Sequence, residues 1–135
     1  MRERIRGAET GATAVEFAIV FPLVVTFMFA LIDGGRLMAS RLMLTNAVSA
    51  GARVAAMDST SSTTSVQSAV NAAAPSLTMA NFSVTTYSGT TATTKAFTAR
   101  ATGDKIAVHA EYTFSPAFFS SMSRTLQQTS WVVFE

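Results

Sequence analysis

The sequence predicts an α+β protein in which a long N-terminal α-helix, first membrane-like and then amphipathic, packs against a small antiparallel β-sheet. Three observations carry that expectation. An apolar run from Ala12 to Ile32 leads, through Asp33-Gly34-Gly35, into a second helical pattern; a serine- and threonine-rich stretch from Asp58 to Ser65 ends it; and beyond Pro75 the apolar residues fall into strand-like runs. The expected segments are residues 1–11, 12–32, 33–57 and 58–135.

Twenty or so residues of helix cover roughly 30 Å, the thickness of a bilayer's hydrocarbon core, so residues 12–32 are long enough to cross once. A secretory signal has a shorter apolar core that ends at a small-residue cleavage site, whereas this run continues into more helix. Arg2, Arg4 and Arg6 precede it, set against Glu3 and Glu9. Basic flanks stay in the cytoplasm, which favours the N-terminus inside and the remainder outside, although Arg36 and Arg41 on the far side reduce the asymmetry. Pro22 removes one backbone donor and predicts a kink, not an end. Gly34 and Gly35 predict either a hinge or a permanent bend, since glycine within a helix costs about 1 kcal/mol relative to alanine.

Glu16 stands inside the apolar run. An acidic group at bilayer depth costs on the order of 3 kcal/mol, so such residues generally face a partner or water. Glu16 lies close to the start of the segment and hence shallow. The alternative is that it snorkels to the interface near a helix N-terminus, where negative charge is mildly favoured.

The run Gly11-Ala12-Thr13-Ala14-Val15-Glu16-Phe17 resembles the processing site of type IV prepilins. Together with Phe21-Pro22-Leu23, Asp33-Gly34-Gly35-Arg36, Thr45-Asn46-Ala47 and Gly51-Ala52-Arg53, it is similar to the TadE-like family of the tight-adherence (type IVc) pilus, over residues 7 to 56. The resemblance implies a leader, residues 1–11, that a prepilin peptidase removes after Gly11. Ala12 would then be the new N-terminus and Glu16 the fifth residue, its carboxylate able to pair with the freed amine within or between subunits. It implies a subunit of the bacterial inner membrane, single-pass, with its C-terminal part periplasmic or extracellular, whose partners are other pilin subunits and the pilus assembly platform. Phe17 stands where major pilins carry tyrosine, and the second half is long for one, which points to a minor pilin or pseudopilin. Gly34 departs from the bulky residue common in the family. The competing reading is an uncleaved, membrane-anchored assembly factor that recruits pilus components through its exported sheet.

The 135 residues leave room for one small domain beyond the helix. A formal net charge of +2 implies no nucleic-acid partner, and with no cysteine the exported part has no disulfide to rely on. An enzyme is not expected. His109, Asp104 and Glu111 are close in sequence, but the histidine falls on the wet face of a strand, no nucleophile elbow or phosphate loop is present, and one histidine without cysteine makes a poor metal ligand set. No cofactor, metal or small-molecule substrate is therefore expected.

Leu37, Leu44, Val48, Gly51 and Ala55 share one helical face, with Arg36, Asn46 and Arg53 elsewhere on the wheel. Beyond the polar stretch a short helix is expected over 66–74, stopped by Pro75. Strands are expected over 82–87, 96–101, 105–114 and 126–134, with Thr102-Gly103-Asp104 as a turn and residues 88–94 as an exposed loop. Ile106, Val108, Ala110, Tyr112 and Phe114 should face the core, and Leu126 to Phe134, ending Trp131-Val132-Val133-Phe134, should be buried on both faces or lie against the long helix. Asn81-Phe82-Ser83 fits the N-glycan acceptor pattern only weakly. Pro116-Ala117-Phe118-Phe119 reads either as a plug on the end of the sheet or as an apolar contact for a neighbouring subunit.

Overall fold

The computed structural model describes the backbone of residues 2–57, 60–91 and 93–135, and the side chains of that set apart from residues 2–10 and Ala12. The flanking arginines Arg2, Arg4 and Arg6, the side chain of Ala12, and Asp58 thus lie outside the described part.

One helix, α1 (Arg2–Met57), includes the expected leader, the apolar run and the amphipathic stretch without interruption. Its 56 residues make it roughly 84 Å long. Pro22 does not end it: Thr26 Oγ1 donates to the Pro22 carbonyl at 2.8 Å, and the helix continues on both sides. Gly34 and Gly35 are likewise helical. The second helix, α2 (Thr63–Ala73), starts earlier than periodicity suggests, inside the stretch expected to be a solvated loop. The reason is local. Ser62 and Ser65 form a reciprocal cap, the Ser65 amide donating to Ser62 Oγ at 3.1 Å and the Ser62 amide to Ser65 Oγ at 2.9 Å. Ser61 in the same stretch is buried, because the Arg100 guanidinium donates to its carbonyl and hydroxyl.

The strands are β1 (Met79–Tyr87), β2 (Thr94–Lys95), β3 (Lys105–Phe114) and β4 (Arg124–Val133), antiparallel in the order β2-β1-β3-β4. The expected strand over 96–101 is absent. Phe97–Ala99 instead forms one 3-10 turn that carries Phe97 into the core, and Arg100 lies over its ring at 4.0 Å while donating to its carbonyl at 2.7 Å. Gly103, at φ 90°, makes the turn into β3, a conformation open to glycine and costly for residues with a Cβ.

The core lies between one face of the sheet and the outer half of α1. Leu44, Val48 and Ala55 of α1, Val66 and Val70 of α2, and Ile106, Val108 and Ala110 of β3 are all buried. Gly51 is the point of closest approach between the helices: a Cβ there would collide with Val70 Cγ2 and meet Val66 Cγ1 at 3.4 Å. Only one face of the sheet is covered, so of the two expected placements β4 takes the second: it lies against the long helix and is not buried on both sides. Leu126 and Val132 pack toward the core, whereas Trp131 is 60 % exposed and Val133 is also exposed.

Candidate functional site

The residues that the sequence marks for processing and assembly lie along α1 and do not gather in a pocket. Gly11 is exposed, with open space where a Cβ would stand. Glu16 is exposed one turn further on, and among the described residues no hydrogen bond or ion pair reaches it. Phe17 is 65 % exposed and its ring lies 5.4 Å from that of Phe21. Ile19, Leu23, Phe27 and Leu31, spaced four residues apart along one side of the helix, are exposed as well, and Pro22 lies in a shallow apolar groove with Ile19, Leu23 and Phe27. A helix this apolar with no protein around it needs lipid or other helices for solvent. It is long and apolar enough to cross a membrane, and none of its most apolar stretch is buried.

Gly34 and Gly35 are exposed and a Cβ at either would meet nothing within 4 Å. Packing within the chain therefore gives no reason for a glycine at either position.

Where the apolar stretch ends, the structure brings together residues that sequence reasoning kept apart. Asp33 is 6 % exposed, although it borders the apolar run. Its Oδ1 accepts the Ala117 amide at 2.9 Å, and its Oδ2 accepts the amides of Phe118 at 3.0 Å and Phe119 at 3.3 Å. Arg36 completes the set at 3.4 Å, its guanidinium also lying 5.9 Å from the Phe114 ring centroid. Three amides of an irregular segment, unpaired within any ladder, thus find one carboxylate. One turn closer to the N-terminus, Phe29 stacks on Phe118 with ring centroids 4.1 Å apart and planes 7° from parallel. The segment Pro116-Ala117-Phe118-Phe119 is therefore a plug, but its seat is α1 and not the sheet alone. The missed signal was periodic: Asp33 lies four residues before Leu37, on the same stripe as Leu44 and Val48, so a carboxylate stood on the core face.

On the outer face of the sheet, His109 shares a hydrogen bond with Thr129 Oγ1 at 2.9 Å and lies 3.3 Å from Glu111 Oε1. Glu111 also accepts from Asn81 and Gln127. The Asn81 amide, then His109, hold the Glu111 carboxyl below its ordinary range against the effect of partial burial. These side chains form a cross-strand polar ladder in which Thr129, His109 and Glu111 line up as hydroxyl, imidazole and carboxylate across β3 and β4. Asp104 is a third organised carboxylate. The Lys95 ammonium at 2.9 Å, followed by the amides of Ala101 and Gly89, lowers it to about 2.

Residues 11–53 match the family model described as TadE-like protein. Over that segment the chain is similar to TadE-like proteins, as its motifs lead one to expect. The TadE-like segment covers nearly the whole of α1 that the structure leaves exposed and the part that packs on the sheet. TadE-like proteins are pilin-like components of the Tad pilus and form a structural family, not an enzyme family. No curated protein and no solved structure matches the chain.

Proposed function

We propose that this chain is a pilin-like subunit, a minor pilin or pseudopilin, of a type IVc tight-adherence pilus. In this reading it inserts in the inner membrane with its N-terminus cytoplasmic, a prepilin peptidase cuts after Gly11, and the subunit then joins the filament through α1 for pilus biogenesis and surface attachment. One observation carries the reading: Glu16 is exposed and, among the described residues, unpartnered on a bare apolar helix, at the fifth position after Gly11. A carboxylate so placed acquires a partner if Ala12 becomes a free ammonium one helical turn away, on its own chain or on a neighbour. Intermolecular pairing would then fix the axial offset between stacked helices, while Phe17, Leu23 and Phe27 supply the apolar contact.

The experiment is the intact mass and N-terminal sequence of the protein from its native membrane and from the sheared surface fraction. An N-terminus at Ala12, with Glu16→Ala abolishing recovery in the sheared fraction, supports the subunit reading. Retention of Met1 with normal piliation in Glu16→Ala refutes it.

The second reading is an uncleaved, membrane-anchored assembly factor. It draws on β4, whose outer edge pairs with no described strand and whose outer face exposes Trp131 beside Tyr87 at 5.4 Å between ring centroids. Substitutions on that face, such as Trp131→Ser, would then abolish assembly while Glu16→Ala leaves it intact.

A further inference from the structure

We infer that the segment joining β3 to β4, residues 115–123, is a second membrane-contacting element that inserts Phe118 and Met122 into the lipid interface beside the helix. The inference rests on the reading that α1 spans a bilayer. Between Glu9 and Asp33 the chain has no charged residue except Glu16. Residues 10–32 supply about 34 Å of helix for a hydrocarbon core of roughly 30 Å, so the span has only a few ångströms of freedom along its axis. Wherever it settles within that freedom, Phe29 lies at or inside the edge of the hydrocarbon.

Phe118 is stacked on Phe29 at 4.1 Å and therefore shares its depth. It is still 48 % exposed, and Met122, in the same segment, is 68 % exposed. An apolar cleft runs from Ala30 past Gly34 and Leu37 to Phe119 and Met122, so both loop residues lie along the exit of the span. Apolar side chains on a segment held at this level by Asp33 meet lipid in a membrane-inserted subunit. The basic groups around them suit the same surroundings. Arg36 is half exposed beside Asp33, and Arg124 is exposed at the start of β4 and borders the cleft, both at the height of lipid phosphates. Asp33 offsets part of the Arg36 charge at 3.4 Å, but it is buried and turned toward the loop amides.

The test uses the full chain reconstituted in phosphatidylcholine vesicles with acyl-chain-brominated lipid as quencher. The protein has one tryptophan, Trp131, whose neighbours Val132 and Val133 lie beside Arg53 and Met57, some 36 Å of helix beyond Phe29. It serves as the native reference for the far end of the sheet. In a Trp131→Phe background, Val24→Trp reports the span, Phe118→Trp keeps an aromatic ring on Phe29, and Met122→Trp adds a site whose side chain is largely exposed. The expected result is loss of fluorescence at 118 and 122 approaching that at 24, with Trp131 unquenched. Quenching at 24 without quenching at 118 or 122 overturns the loop's lipid contact, leaves the span reading intact and assigns the apolar loop to a protein neighbour. No quenching at 24 overturns both.

Discussion

Asp33 and Phe118 are joined by a hydrogen bond of 3.0 Å from the Phe118 amide to the Asp33 carboxylate, across 85 positions of sequence. The same carboxylate accepts the amides on either side of Phe118, so a single side chain of α1 fixes the direction of the whole β3–β4 connection. The sheet domain is thereby tied to the helix at two ends: by the apolar core around Leu44 and Val48, and by this polar clasp at the exit of the apolar stretch. Domain and helix should therefore move as one body.

Asp33→Ala removes the acceptor and leaves three amides to seek water. Amide exchange at Ala117, Phe118 and Phe119 should accelerate, whereas Ile106 and Val108 at the centre of the sheet keep their protection, because local opening of a loop does not require opening of the core. Asp33→Asn should fall between wild type and Asp33→Ala, since an amide oxygen accepts but lacks the charge. Hydrogen exchange read by mass spectrometry on the detergent-solubilised chain checks this. Equal exchange in all three proteins would mean that the clasp does not hold the loop.

The glycines of α1 should respond in opposite directions. At Gly34 and Gly35 alanine meets no neighbour, so each substitution should stabilise the isolated chain by about 0.5–1 kcal/mol through helix propensity alone. At Gly51 the same gain is opposed by collision with Val70, a β-branched side chain with little freedom to turn aside, and overpacking costs typically 1–3 kcal/mol. Gly51→Ala should therefore be destabilising by about 1 kcal/mol, as measured by chemical unfolding of the three variants. If Gly34→Ala and Gly35→Ala are more stable yet fail to enter filaments, the two glycines serve a bend or a close contact in assembly.

Much of this fold was legible because period and composition agree. The stripe Leu37, Leu44, Val48, Gly51, Ala55 is the face that packs, and β3 occupies residues 105–114 as its alternation predicts. What escaped depended on contacts that no period encodes. The 3-10 turn at Phe97 exists because Arg100 and the core hold that ring, and α2 begins at Thr63 because Ser65 completes a cap usually recognised by glutamate or glutamine. Trp131 to Phe134 is uniformly apolar, which resembles a doubly covered strand, yet helices lie on only one side of the sheet and half of those side chains remain exposed. At the candidate site, Gly11 and Glu16 could be picked out by their spacing. Asp33 could not be paired with Phe118 without knowing that β3 and β4 turn back over the helix.

Thr86 offers a simple gain in stability. It is fully buried between Lys95 of β2 and Ile106 of β3, and its hydroxyl has no hydrogen-bond partner among the described residues. A buried hydroxyl without a partner costs roughly 1–3 kcal/mol, and valine reproduces its shape with a methyl in place of oxygen. Thr86→Val should raise the stability of the exported domain by about 1 kcal/mol, and Thr86→Ala should lower it by leaving a void. Thermal unfolding followed by circular dichroism checks both, and a loss in Thr86→Val would show that the hydroxyl is engaged by water.

Acid should loosen the turn before β3. Asp104 titrates at about 2 in the folded chain, lowered from 3.8 by Lys95 first and then by the amides of Ala101 and Gly89. A carboxyl with a depressed folded value contributes stability above its unfolded value, and that contribution is lost as pH falls through 3.8 toward 2. Glu111, lowered chiefly by Asn81, adds a contribution of the same sign. The exported domain should thus hold its melting temperature down to about pH 5 and lose it progressively below that. Asp104→Asn should already be destabilised at neutral pH, because Lys95 loses its counter-charge, and should show a shallower decline in acid. A decline as steep as that of the wild type would place the acid-sensitive group elsewhere, with Glu111→Gln as the next variant to compare.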